Sequence, residues 1–220
     1  MRGCEADIAP LTADTTALAP DRRGHENGQV VSFDAEGVTV RIDEDTLREI
    51  VEDPVALAAW CRAHPEDPRT VAYLRMLGRL DEAGAAGRAS LAAPGLDPLV
   101  RAVRRARYAS VLQWQGAFDP AEEQFALAAE ETGLADPTTP SSLSVLAGIF
   151  QHRAKNRFEH GRAERAQGNR EAATRLRRSA IEDARRALAL HEHLPATSAD
   201  ALASSRQTLR RLDRAVGLPS

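Results

Sequence analysis

Cysteine is scarce in this 220-residue chain: Cys4 and Cys61 alone, with no CxxC pair. That excludes a disulfide framework and a cysteine-built zinc site. Lysine is nearly absent, Lys155 standing alone among 29 basic residues. An arginine excess this large reads as GC-rich coding and points to a bacterial source. Aromatics make up only 4% of the residues, so the core must be built from Ala, Leu and Val. The longest apolar run, Val55 to Cys61, falls far short of the ~18 residues of a membrane span. The opening MRGCEADIAP carries Glu5 and Asp7 and no apolar stretch, so no secretory signal is expected and the chain reads as cytoplasmic. A phosphate loop, GxGxxG, GxSxG and HExxH are all missing. No cofactor or metal is expected, and a non-enzymatic role follows as the leading expectation.

What is present is mostly helical grammar, and the fold class expected is all-α with a small N-terminal β-hairpin. Residues 1–28 are rich in Pro, Gly, Thr and Asp and poor in apolar periodicity, and read as a mobile tail. Val30–Phe33 and Val38–Ile42 alternate about Asp34-Ala35-Glu36-Gly37, the pattern of a hairpin. A lone hairpin is marginal and must lean on helices. Asp-Pro then recurs at 53–54, 67–68, 97–98 and 119–120, each time before an apolar-periodic stretch. Asp accepts the unpaired N–H groups of a first helical turn, and Pro at the first position has no N–H to leave unpaired. These signals place helices over 45–52, 55–64, 69–86, 99–115, 121–132, 142–167, 170–193 and 199–216. Loops are expected at Gly84–Leu96 and Gly133–Ser141.

Residues 102–135 resemble a tetratricopeptide repeat, a helix–turn–helix unit of 34 residues. Ala109 and Leu112 fall at positions eight and eleven, Gly116 and Phe118 in the turn, and Ala121, Phe125 and Ala128 at twenty, twenty-four and twenty-seven. Small residues at eight and twenty let antiparallel helices approach, and the aromatic at twenty-four fills the gap to the next pair. Arg105 stands at a usually apolar position, and Gly133 where Pro is expected. A second copy begins near Ala154, with Gly161, Gly168, Ala173 and Ala180 in the small and turn positions and Arg177 in place of the aromatic. The chain then divides into the tail, a segment 29–98 packed on the repeats, and a repeat domain 99–220 closed by a capping helix.

The resemblance implies a binding scaffold with a groove for a peptide or protein segment. Its groove positions are Lys155, Phe158, Arg162 and Arg165 in the second copy. In the first they are Val103, Ala106, Ser110 and Gln113, with Trp114 next. Charge suggests the partner. Residues 1–68 hold 6 Arg against 15 acids, whereas residues 141–220 hold 15 cations against 8. Gln113, Trp114, Lys155, Phe158, Arg162 and Arg165 are therefore the candidate partner-binding residues, and an acidic protein segment the expected partner. The acid-rich N-terminal region is a candidate competitor for the groove. Two alternatives stand beside this adaptor: a nucleic-acid binder using the basic C-terminal helices, and an enzyme with an unrecognised helical site. An overall pI near 6.1 and few aromatics for base stacking weigh against the first. The histidines read as surface or helix-end residues, the acid pairs Glu122-Glu123 and Glu130-Glu131 as a solvated face, and Trp60, Cys61, Tyr73 and Met76 as core.

Overall fold

A computed structural model describes residues 31–195 and 197–214. Among them lie three strands and eight helices: β1 (Ser32–Ala35), β2 (Val38–Ile42), β3 (Glu49–Val51), α1 (Pro54–Ala63), α2 (Thr70–Met76), α3 (Leu80–Leu91), α4 (Pro98–Trp114), α5 (Phe118–Leu134), α6 (Pro140–Ala166), α7 (Arg170–His193) and α8 (Ala199–Arg214). The expected tail, residues 1–28, lies outside the described residues.

The hairpin forms with a tighter turn than the four-residue loop expected. Ala35 pairs with Val38, leaving only Glu36 and Gly37 at φ 57° and 81° between the strands. Asp34 fastens that turn by accepting from the Gly37 N–H at 3.0 Å. Phe33, Ala35, Val38, Val40 and Ile42 all point inward, the period-two burial a half-buried sheet requires.

The helix expected over 45–52 does not form. Asp43 draws the chain into a turn by accepting from the N–H groups of Asp45 and Thr46. Leu47 then takes φ 60°, and Glu49–Val51 pair antiparallel with Val40–Ile42. The sheet thus has three strands in the order β1-β2-β3, one more than the hairpin expected. It packs on Leu57, Cys61, Val71, Tyr73 and Leu74 of the first two helices.

Two of the four Asp-Pro signals cap helices as expected. Asp53 accepts from Val55 and Ala56 N–H at 3.1 and 2.9 Å, and Asp97 from Leu99 N–H at 2.8 Å. Each such cap contributes about 1 kcal/mol. The other two differ. Asp67 binds the backbone and guanidinium of Arg69, ahead of a helix that begins at Thr70. Asp119 sits inside the first turn of α5, which begins at Phe118. The single helix expected over 69–86 is broken at Gly78, whose φ of 73° ends α2 in a conformation that costs glycine nothing. The loop expected from Gly84 is instead the body of α3. Gly87 is buried there because a Cβ would meet Tyr108 Cδ2 at 2.7 Å.

The remaining helices pack as antiparallel hairpins. In α4–α5, Ala109, Ala121 and Phe125 are wholly buried. Arg105, at the position expected to be apolar, reaches across to Glu131 and Gln124. In α6–α7, Gly161 lies against the backbone of Ala173, 3.3 Å from where its Cβ would be. Arg177, in the place of an aromatic, donates to the Leu212 carbonyl of α8 at 2.8 Å. Glu122 and Glu131 are not on a solvated face. Glu131 pairs with Arg105 and Glu122 with Arg157, while Glu123 and Glu130 are exposed.

Candidate functional site

The six candidate residues separate into an enclosed set and an open set. Gln113, Lys155 and Phe158 are buried, Trp114 is half-buried, and Arg162 and Arg165 are exposed. The other groove positions of the first copy, Val103, Ala106 and Ser110, are also buried. Val103 and Ala106 belong to the core shared with Phe125 and Ile149. An open groove lined by all of these residues is therefore corrected: part of it is core, and part is covered by the chain's own segment 43–52.

That cover explains the burial of Lys155. The Glu49 carboxylate enters beneath β3 and accepts from Arg75 Nη1 and Nη2 at 2.8 and 3.2 Å. Lys155 Nζ stands 4.0 Å from the same carboxylate. All three side chains are nearly sealed, at 4–6% exposure, so one acid faces two desolvated cations. Burial alone would raise the Glu49 carboxyl. The Arg75 and Lys155 charges outweigh it and hold the group well below the usual carboxylate range. Burial pushes the Lys155 ammonium down, against the pull of Glu49. His152 lies in the same cluster. Burial and the Lys155 charge push it down to about 3, so the ring is neutral.

Trp114 forms the aromatic wall. The guanidinium carbons of Arg75 and Arg48 lie 4.7 and 4.9 Å from its ring centroid, within reach of a cation–π attraction. Arg48 also forms a fork with Glu159, at 3.0 and 2.6 Å. Two residues before Glu49, Leu47 is 2% exposed. It fills an apolar socket of Ala154, Phe158, Ala180, Ala184 and Leu212. Phe158 connects this socket to the open rim, with Arg162 and Arg211 over its ring at 5.9 and 5.2 Å. Arg177 is close by, and its guanidinium is lowered by burial and by the neighbouring Arg165 and Arg211 charges.

Two further polar clusters were hidden from sequence reasoning. His152 and His191, expected at the surface or a helix end, are both buried. His191 Nδ1 lies 2.8 Å from Ser205 Oγ. Ser205 donates its proton to Gln151 Oε1 at 2.9 Å, and Gln151 Nε2 donates to Ser204 Oγ at 2.6 Å. With Ser205 at 1% exposure, these hydrogen bonds tie α6, α7 and α8 together. The other cluster centres on Asp183, at 1% exposure. It accepts from both Arg153 and Arg157. Among the described residues no three His, Cys, Asp or Glu side chains gather as a metal site would require, and no helix is long and apolar enough to cross a membrane.

Comparison of the chain with family models, with curated proteins and with solved structures gives no match in any of the three.

Proposed function

We propose that this protein is a non-enzymatic interaction module, a tetratricopeptide-like helical scaffold that binds an acidic protein segment. The reading is carried by one observation: a carboxylate is already held on this face, by Arg75 and Lys155 beside the Trp114 ring. Charge-assisted hydrogen bonds to a carboxylate, strengthened by exclusion of water, are a chemistry suited to acidic side chains. Arg162 and Arg165 stay exposed beyond Phe158 and extend the positive field to where a partner first arrives. Such rim charges steer encounter and contribute modestly to affinity.

The test is fluorescence anisotropy of a labelled short polyglutamate peptide titrated with the full chain at several salt concentrations. Binding should weaken as salt rises and fall several-fold in the double variant R162E/R165E. Absence of binding at low salt, or an affinity indifferent to the double reversal, overturns the proposal. Tighter binding of a single-stranded oligonucleotide of equal charge would transfer the site to the nucleic-acid reading.

A further inference from the structure

The segment that covers the site has the character of a ligand. We infer that residues 47–49 occupy this face in cis, and that the external partner is an extended acidic segment carrying an apolar residue two positions before a carboxylate, which enters by displacing them. The inference rests on the acidic-segment reading and names the sequence chemistry that reading leaves open.

Four observations carry it. The contact is bipartite, with Leu47 in the Phe158–Leu212 socket and, two residues on at the start of β3, Glu49 against Arg75 and Lys155. Side chains two apart on an extended strand face the same way, so any peptide with that spacing presents both groups together. The fit is incomplete: Lys155 Nζ is 4.0 Å from its nearest carboxylate oxygen, beyond hydrogen-bond distance. Arg75, at 3% exposure, keeps a buried Nε with no hydrogen-bond partner. The cover is also strained, since Leu47 sits at φ 60°, a conformation that costs a residue with a Cβ of order 1 kcal/mol. A free peptide meets the same socket and the same two cations without that turn, and a better-placed acid reaches Lys155 as well.

The cover is held by Leu47, Glu49 and the Arg211 bond to the Asp45 carbonyl at 3.0 Å, and its backbone pairing is short. β3 has only three residues. Around it the segment is closed by the bonds of Asp43 N–H to Arg48 C=O and of Glu52 N–H to Thr39 C=O, at 2.9 and 3.0 Å. The Arg48 side chain, 39% exposed, adds its fork to Glu159 from the outside. Reversing Arg48 sets an acid against Glu159, whose side chain is only 10% exposed, and so loosens the cover by like-charge repulsion at its outer edge.

The probe is a synthetic peptide with the sequence of residues 43–52, titrated into the full chain. R48E should bind it at least tenfold more tightly than the natural chain does. The same peptide carrying Leu47→Ala or Glu49→Gln should lose that gain. Hydrogen exchange on the natural chain gives a second readout that needs no variant: saturating peptide should speed exchange at the Asp43 and Glu52 amides. Unchanged exchange there under saturating peptide overturns the inference, as does R48E binding the peptide no better than the natural chain. If either occurs while polyglutamate still binds through Arg162 and Arg165, displacement fails and the acidic-segment function survives. If polyglutamate binding is absent as well, both fall.

Discussion

The two cations that face Glu49 should respond to removal in opposite ways. Arg75 holds the carboxylate with two hydrogen bonds and is nearly sealed from water. Replacing it with methionine leaves a buried acid with a single, more distant cation, and breaking a buried pair this way costs about 3–5 kcal/mol. Lys155 at 4.0 Å gains about 4 kcal/mol from Glu49 at an effective dielectric of ~20. Repulsion from Arg75 offsets part of this, and desolvation of the ammonium costs several kcal/mol more. The net contribution of Lys155 is therefore near zero or unfavourable. Lys155→Met, which keeps the length and apolar stem of the side chain, should leave stability unchanged or raise it by about 1 kcal/mol. Urea unfolding followed by circular dichroism reads both variants. With a slope of about 3 kcal/mol per molar, Arg75→Met should lower the midpoint by about 1 M or more, and Lys155→Met should not lower it. Equal losses from the two variants, or a larger loss from Lys155→Met, would refute the assignment of Arg75 as the balancing charge.

Phe125 is wholly buried between α4 and α5, so Phe125→Ala should cost about 3–5 kcal/mol in the same assay; a cost below about 1 kcal/mol would contradict its packing. Gly87→Ala places a methyl group 2.7 Å from the Tyr108 ring and should cost about 1–3 kcal/mol through overpacking, measured as a lowered melting temperature. His152, pushed down to about 3 in the fold, returns to about 6.5 in the unfolded chain. Its neutral form is favoured in the native state, so the stability it contributes is complete above about pH 6.5. It is lost as pH falls toward 3, by about 3 kcal/mol at roughly pH 4. The lowered carboxyl of Glu49 adds a loss of the same sign below its unfolded value. Stability against pH for His152→Gln should be flatter between about pH 6 and 4, and an unchanged slope would exclude His152 as the titrating group.

Where backbone chemistry is local, the sequence is readable. Asp53 and Asp97 cap because the carboxylate, the following proline and the apolar face all lie within one turn. The β1–β2 hairpin is legible because its buried residues are also apolar. β3 defeats the same rule: its inward residues include Glu49, and a charged residue facing the core reverses the pattern that marks a strand. A hydrophobic count over 45–52 therefore reads as a short helix. Gly84 and Gly87 mislead in the opposite direction. They resemble loop residues, yet the need for Gly87 arises from Tyr108, which lies on α4 and is not a neighbour in sequence. The candidate site was half legible for a related reason. Lys155 faces the Glu49 carboxylate, Trp114 stacks on the Arg75 that holds it, and Phe158 lines the adjoining Leu47 socket, but Arg75 and Arg48 come from segments with no repeat pattern to nominate them. No local signal marks His152, His191 or Asp183 as buried, because their partners lie across helices.

The placement of the sheet governs the order in which the molecule can be completed. Ile42 accepts from Gln207 and Asp45 from Arg211, so some of the earliest described residues are fastened by the last described helix. An open repeat array grows by adding each unit to its neighbour. Here the sheet region is bonded to the last described helix, which adds long-range closures that slow folding. During synthesis the strands leave the ribosome well before α8 exists to hold them. Until then Leu47 has no complete socket, since Leu212 is still to be made, and the strand edge is exposed to pairing with other chains. The last described helix therefore completes the Leu47 socket with Leu212 and adds the Gln207 and Arg211 bonds that fasten the start of the cover.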